Sequence, residues 1–463
     1  MKKTSLYEPI NCFLHSNIKR KPVSFHMPGH KYGRFGYRRT FREHKEFDIT
    51  EIPGADNLKN PGGIILESQI AAAEIYGADQ TMYLTNGSTS GILAVMGYAR
   101  TTGRKLLVSR DSHISAVNGS ILFNVSTEYI PVECENGMAL PVSPADVESH
   151  IAMNPDACGI LITSPNYYGI AADTKKIAEL AHQNGMFLAV DEAHGAHLRF
   201  SGLGSLSGIQ NGADIVCHSL HKTMPVFNQG ALIHICGNLV DAVKLKSIVN
   251  MIGTTSPSYP IIASMEKAIA FYNRKSRALY GRLSRKVRSF RKKIKDFAGI
   301  AIVDNDDFSR IVLDVSRTGK SGFEILARLH DESSIDMEMA DFTHIIGIAT
   351  PSNKSRDFGK LASALKAMGE GTAKKHEFRV PKIPVKIMEP AKAIAGTVEI
   401  VAPDMAGGRI CGTIIMSYPP GIPLVCPGEV IDGDAIEFIK RIISLGGTVL
   451  GINENGIPVL EQT

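Results

Sequence analysis

The sequence predicts an α/β protein with three parts: a large domain on a mainly parallel sheet, a smaller α/β domain, and an α+β C-terminal domain. Three observations predict it. Short apolar runs alternate with helix-like segments between about residues 65 and 235, the pattern of parallel strands joined by helical crossovers. Four of those runs end in polar residues. The 463-residue chain, 44% hydrophobic and 21% charged, is long enough for several cores in one globular protein.

The runs, in order, are KLLVSRD (105–111), CGILITSPN (158–166), MFLAVDEAH (186–194), ADIVCHS (213–219) and GALIHIC (230–236). The first four finish on Arg110-Asp111, Ser164-Pro165-Asn166, Asp191-Glu192 and His218-Ser219. Ligands of open α/β sheets bind beyond the carboxyl ends of the strands, so these polar ends describe a site. Between Asn166 and Met186, TKKIAELAHQNG predicts a crossover helix with Ile177, Leu180 and Ala181 on one face and Gly185 closing it. Residues 158–191 therefore read as one βαβ unit.

Residues 274–297, RKSRALYGRLSRKVRSFRKKIKDF, hold eleven lysines and arginines. Leu279, Leu283, Val287, Phe290, Ile294 and Phe297 recur at steps of three and four, which places the basic side chains on the outer face of one long amphipathic helix. GIAIVDNDDFSRIVLDVS and SGFEILARLHDESS follow as strands and a helix of the smaller domain, which ends near Met368. The polar stretch GEGTAKKHEFRVPKIPVK predicts a linker. The remainder carries short β-like runs, GTVEIVAP and GTIIMSYPPGIPLVCPGEVI, and one helix, DAIEFIKRIISLG.

Charge and cysteines narrow the function classes. A net +5 against 51 basic and 46 acidic residues gives no argument for a nucleic-acid or membrane partner. Seven scattered cysteines without a CxxC pair suit a reducing cytoplasm. MKKTSLYEPINCFLHSNIKRKP lacks a continuous apolar stretch, and no window approaches 18 apolar residues, so neither export nor membrane insertion is expected.

Three features carry chemistry. TNGSTSG (85–91) leads into the helical ILAVMGYAR, and small residues before a helix offer free N–H groups, hydroxyls and a positive dipole end to a phosphate. Serines and threonines in that place also serve as ordinary N-caps. Asp191, at a strand's carboxyl end, suits a protonated heterocyclic nitrogen; Lys222, in CHSLHKTM (217–224), suits an aldehyde. A phosphate cup, an acid and an amine together fit one molecule, pyridoxal 5′-phosphate.

The motifs FHMPGHKYG (25–33), DITEIPGADNL (48–58), TNGSTSG, RDSHISAVNG, SPNYYGI, VDEAHGAH, SLHK and TTSPSY resemble, in order, those of the ornithine/lysine/arginine decarboxylase family. This is a bacterial branch of fold-type I pyridoxal-phosphate enzymes, and the resemblance runs over roughly the first 270 residues. YPPGIPLVCPGE is similar to the family's C-terminal domain, and some 25 residues before HMPGHK resemble its short form. The resemblance implies an aspartate-aminotransferase-like large domain. The expected division is an N-terminal segment 1–60 with the HMPGHK loop, a cofactor-binding domain 61–273, a connecting helix 274–298, a small α/β domain 299–370 and a C-terminal domain 376–463.

The resemblance also implies roles. Lys222 would hold the cofactor aldehyde, Asp191 would pair with the ring nitrogen, and His113 would stack on the ring. Gly87, Ser88 and Thr89 with Ser219 and His221 would hold the phosphate, and Thr254 or Thr255 would reach a neighbouring subunit's phosphate, giving a homodimer or higher homo-oligomer with shared sites. His194 would lie near the ring's phenolic oxygen. Lys222 or His221 would reprotonate the α-carbon.

The reaction expected is decarboxylation of a basic amino acid, with arginine to agmatine, feeding polyamine synthesis, preferred over lysine or ornithine. Other readings are a fold-type I aminotransferase or lyase, or a catalytically silent regulatory relative. Segment 334–352 has no arginine to grip an α-carboxylate as aminotransferases do; it offers Asp336, Glu338 and Asp341, each a candidate for a cationic substrate end or a solvated acidic turn. Glu429 could equally face the substrate channel or cap a turn. His26 and His30 flank a Pro-Gly turn without further spaced ligands, so no metal site is expected, and His30 is assigned to a structural or site-lining loop.

Overall fold

The computed structural model describes residues 23–25, 55–368 and 381–461. The large domain opens with α1 (Ile64–Tyr76), β1 (Gln80–Leu84), α2 (Gly87–Thr101), β2 (Leu106–Ser109), α3 (Ile114–Phe123) and β3 (Thr127–Ile130). It continues through α4 (Pro144–Met153), β4 (Gly159–Thr163), α5 (Thr174–Gln183), β5 (Phe187–Asp191), β6 (Ile215–His218), β7 (Ala231–Ile235) and α6 (Ala242–Ile252). The seven strands form one sheet in the order β1-β7-β6-β5-β4-β2-β3, parallel except for β7, which is antiparallel to β1 and β6.

Two of these strands, β1 and β3, lie outside the five apolar runs. Both are edges of the sheet, where one side lacks a strand neighbour and polar residues are tolerated, so QTMYL and TEYI carry a weaker apolar signal. The central strands β4 and β5 are buried along their whole length. Each buried Leu, Ile or Val there contributes roughly 1.5–3 kcal/mol over its exposed state. The crossover α5 starts where the Asp173 carboxylate accepts from the Lys176 N–H, and it buries Ile177, Leu180 and Ala181 against the sheet.

Helix α7 (Tyr259–Ile294) begins fifteen residues before the expected connecting helix, at a start marked by Pro260. The apolar stripe simply extends backwards through Ile262, Met265, Ile269 and Tyr272, all buried, while Arg274, Lys275, Arg277 and Arg288 point outward. The smaller domain holds β8 (Arg310–Asp314), α8 (Gly322–Ser333), β9 (His344–Ile348) and α9 (Ser355–Met368). Its four-stranded sheet is antiparallel, with Ala301–Ile302 and Met339–Ala340 at the edges. Val23–Ser24 adds to this unit by pairing with Ile335–Asp336, because Phe25 is fully buried against Phe358. Residues 23–25 are thus tied to the small domain, an attachment that sequence spacing does not show.

The C-terminal domain pairs β10 (Val398–Val401) with β13 (Ile457–Leu460), and β11 (Ile415–Ser417) with β12 (Ile422–Val425), around α10 (Gly433–Ser444). No described helix is long and apolar enough to cross a membrane.

Candidate active site

Sheet register builds the floor of the site. Asp191, the last residue of β5, pairs with Thr163 at the end of β4 and with Cys217 near the end of β6. Beyond β6 the chain makes a four-residue helix, Leu220–Thr223, that carries Lys222. Asp191, Lys222, His113, His194, His221, Gly87, Ser88, Thr89 and Ser219 all line one cavity of about 240 Å³. Burial pushes the Lys222 amine below the usual lysine range, with Asp191 and Glu338 opposing the shift and Arg310 adding to it. Burial likewise pushes the Asp191 carboxyl up, against the pull of Lys222 and of the Ala193 N–H that it accepts at 3.1 Å.

The start of α2 departs from ordinary capping. Ser143, Asp173, Asp241, Ser321 and Asp432 each cap a helix with a side-chain oxygen, whereas Asn86 makes no such bond to α2. Ser88 and Thr89 are therefore not N-caps: their first-turn N–H groups are left by the cap at the cavity wall, and the Ser88 hydroxyl meets that of Ser219 at 2.6 Å. His113 caps α3, its Nδ1 accepting from the Ser115 N–H, and the Gly421 backbone packs against its ring. Gly421 has φ +85°, and a Cβ there would stand 3.4 Å from that ring. Burial and the nearby Lys222 hold His113 down to about 4; burial brings His221 to about 4 as well.

Other expected residues fall in different places. Glu338 lines the cavity from the small domain. Asp341 turns away from it, accepting from the Tyr168 hydroxyl at 2.8 Å and from the N–H groups of Thr343 and His344, so it braces a turn. Glu429 is fully buried outside the cavity lining: its Oε2 accepts from Arg110 Nη2 at 3.0 Å and from the Cys426 N–H at 2.7 Å. Of its two expected places, the turn cap is the one occupied, with an ion pair added. Thr254 and Thr255 are exposed between α6 and α7, away from this cavity. His30 lies outside the described residues.

Sequence reasoning misses six contributors. Tyr167 packs tilted on His194 at 4.5 Å between centroids, and its hydroxyl donates to the Pro420 carbonyl at 2.8 Å. Tyr418, Pro419 and Pro420 of the C-terminal domain form one side of the cavity. Thr163 lines it with a buried hydroxyl that has no partner among the described residues. Arg310 stands behind His194, its Nη2 2.7 Å from His194 Nδ1.

Comparison with known proteins settles the family. The major domain of Orn/Lys/Arg decarboxylases matches residues 8–354, and the C-terminal domain of the same enzymes matches 373–454. The chain belongs to the Orn/Lys/Arg decarboxylase family. It is similar to the arginine decarboxylase of Bacillus subtilis (strain 168), 30% identical with 98% of this chain and 97% of that protein covered. The arginine decarboxylase of Bacillus anthracis is 31% identical, with 99% and 98% covered. Among solved structures, the constitutive lysine decarboxylase of E. coli superposes with a TM-score of 0.76 at 21% identity, over 94% of this chain and 79% of that one.

This Orn/Lys/Arg decarboxylase is a pyridoxal-phosphate-dependent carboxy-lyase of fold type I. The residues present fit the cofactor: a half-buried amine and a buried carboxylate share a cavity with an uncapped helix start and two facing serine hydroxyls.

Proposed function

We propose that the chain decarboxylates arginine to agmatine and carbon dioxide, with the cofactor held by Lys222, Asp191 and the Gly87-Ser88-Thr89 cup. The observation that carries the reading is the single cavity in which those residues meet Glu338. Pyridoxal 5′-phosphate, when bound, supplies an electron sink for the pair released as the α-carboxylate leaves. Lys222 would hold its aldehyde; Asp191 would stay ionised beside the protonated ring nitrogen, a fixed charge where the reaction needs it. Ser88, Thr89, Ser219 and His221 would take the phosphate, His113 would lie against the ring and His194 beside its phenolic oxygen.

The Glu338 carboxylate suits the guanidinium end of the substrate through charge-assisted hydrogen bonds. His221 Nδ1 lies 3.3 Å from the Gly230 carbonyl and donates to it, so in the neutral ring Nε2 carries the lone pair and has no proton to give; of the two expected donors for the α-carbon, this favours Lys222 Nζ. Arginine over lysine or ornithine is supported by the end-to-end similarity to two proteins named arginine decarboxylase.

A homodimer or higher homo-oligomer in the cytoplasm is part of the same proposal. Ile64 and Ile70 on α1 and Val243 and Met251 on α6 are exposed, as are Thr254 and Thr255 just after α6, which suits burial against a second copy with those threonines reaching its phosphate site. The six described cysteines are all free, as a reducing compartment favours. A decarboxylation assay of the purified protein across arginine, lysine and ornithine is the test. Agmatine as main product supports the reading; cadaverine or putrescine moves the substrate, and a keto acid overturns the reaction.

A further inference from the structure

Arg310 opens β8 in the small domain and is fully buried. Its Nη2 donates to His194 Nδ1 at 2.7 Å and to the His194 carbonyl at 3.2 Å. A guanidinium has donors and no acceptor, so Nδ1 must offer a lone pair. Burial, with the Arg310 cation adding to it, holds the imidazole neutral whatever the charge on Lys222, and its one proton is therefore on Nε2. That nitrogen lies 3.1 Å from Lys222 Nζ. With the proton on Nε2 the contact is a hydrogen bond donated to the amine, and only an unprotonated amine can accept it. An ammonium there would set two N–H groups against each other.

We propose that Arg310 is a positioning residue: it fixes the His194 tautomer, and His194 then presents Lys222 as a neutral, nucleophilic amine before the cofactor arrives. The inference rests on the reading of Lys222 as the residue that holds the aldehyde. When the cofactor binds, the Nζ lone pair would add to its aldehyde carbon, and the aldehyde oxygen would leave as water with the two amine protons.

The surroundings hold Arg310 in register for this task. Asp307 Oδ2 lies 3.9 Å from its Nε and 3.1 Å from His197 Nε2, and Asp307 also accepts from the Ser309 hydroxyl at 2.7 Å. Gly169, at φ +80°, lets the Arg310 stem pass where a Cβ would approach to 2.5 Å. Around Lys222 the charges are balanced: Asp191, Glu338 and the Tyr167 ring face, 5.7 Å from Nζ to its centroid, favour an ammonium, Arg310 and burial oppose it, and His113 and His221 complete the wall. The His194 hydrogen bond decides between these pulls.

The test follows cofactor capture, not turnover. Protein stripped of cofactor is mixed with pyridoxal 5′-phosphate at a series of pH values, and the rate at which visible absorbance appears is recorded. Removing the Arg310 cation, or the donor that needs an unprotonated amine, favours the ammonium and raises the pH at which capture fails. Arg310→Leu and His194→Leu are expected to move the midpoint up by about one pH unit, or about tenfold slower capture below it. His194→Gln keeps the wild-type midpoint, because its amide oxygen can accept from Arg310 while its nitrogen donates to Lys222. Equal midpoints in wild type and the leucine variants overturn the proposal, as does a glutamine variant that behaves like leucine. Where Arg310→Leu fails to fold, the two His194 variants decide. Wild-type protein that develops no absorbance refutes the Lys222 reading itself, whereas normal capture with unmoved midpoints refutes the role of Arg310 alone.

Discussion

The floor of the cavity is made of strand ends: Thr163 from β4, Asp191 from β5, and Ser219 and Lys222 just beyond β6. The rim is made by Glu338 of the small domain and by Tyr418, Pro419 and Pro420 of the C-terminal domain. Floor residues sit at or just beyond the ends of strands paired in one sheet and, on the function proposed above, would face the cofactor whatever amino acid is bound. Rim residues are brought in by distant parts of the chain and would face what differs between substrates. Damage to the floor should therefore cost every substrate alike, and damage to the rim should change the preference among them.

The largest expected effect breaks the bolt between the two regions. Arg110, just after β2, donates to Glu429 Oε2 and to the Leu424 carbonyl, both at 3.0 Å, and lies 5.0 Å from the Tyr129 ring centroid. Arg110→Met leaves Glu429 buried without its cation, a loss of about 3–5 kcal/mol. Chemical denaturation measures it, and a second change, Glu429→Leu, should restore part of the loss. A single-variant loss of about 1 kcal/mol or less, the range of exposed pairs, would show that the C-terminal domain is held by other contacts.

Asp191→Ala tests the floor. It removes the charge expected beside the ring nitrogen, and turnover should fall by about 10²- to 10³-fold with some cofactor retained. The fall should be equal for every basic amino acid that the enzyme accepts. Glu338→Gln tests the rim with a smaller effect: losing one charge-assisted contact, worth about 1.5–3 kcal/mol, should raise KM for arginine by about 10- to 100-fold with a smaller change in kcat. A Glu338→Gln enzyme that loses all substrates in the same proportion would place Glu338 with the floor.

The same division explains what can be read before the chain is folded. Strand ends obey a local rule: an apolar run that stops on a polar residue marks the carboxyl edge, so Asp191 and Lys222 stand out from spacing and residue type alone. The uncapped start of α2 is visible only in coordinates, because Ser and Thr before a helix read as caps. The rim needs long-range folding. Glu338, Asp341 and Glu429 are alike as acidic residues near turns, yet one lines the cavity, one braces its own loop and one pairs with Arg110. Arg310 has a faint signal, a basic residue at the head of the apolar run IVLD with Asp307 three positions before it. A search for a carboxylate-gripping arginine in 334–352 passes it by, since its partner is an imidazole from another domain.

Acid should weaken the floor of the cofactor-free protein, and the sign follows from which state binds protons. His113 and His221 go from 6.5 to about 4 on folding, so between those values the unfolded chain binds protons that the native one refuses, and stability falls as pH falls. His194 and His234, depressed first by burial, act in the same direction. Three carboxyls oppose them. Asp111, buried after β2, is raised from 3.8 to about 6 by burial, and burial raises Asp191 and Glu429 as well; the native state binds their protons first, which adds stability as pH falls through that window. Four histidines against three carboxyls give a net loss, so the denaturant midpoint should decline from pH 6.5 towards 4. Asp111→Asn removes one opposing group and should make the decline steeper. A midpoint that rises with acid would mean that the carboxyls dominate the floor.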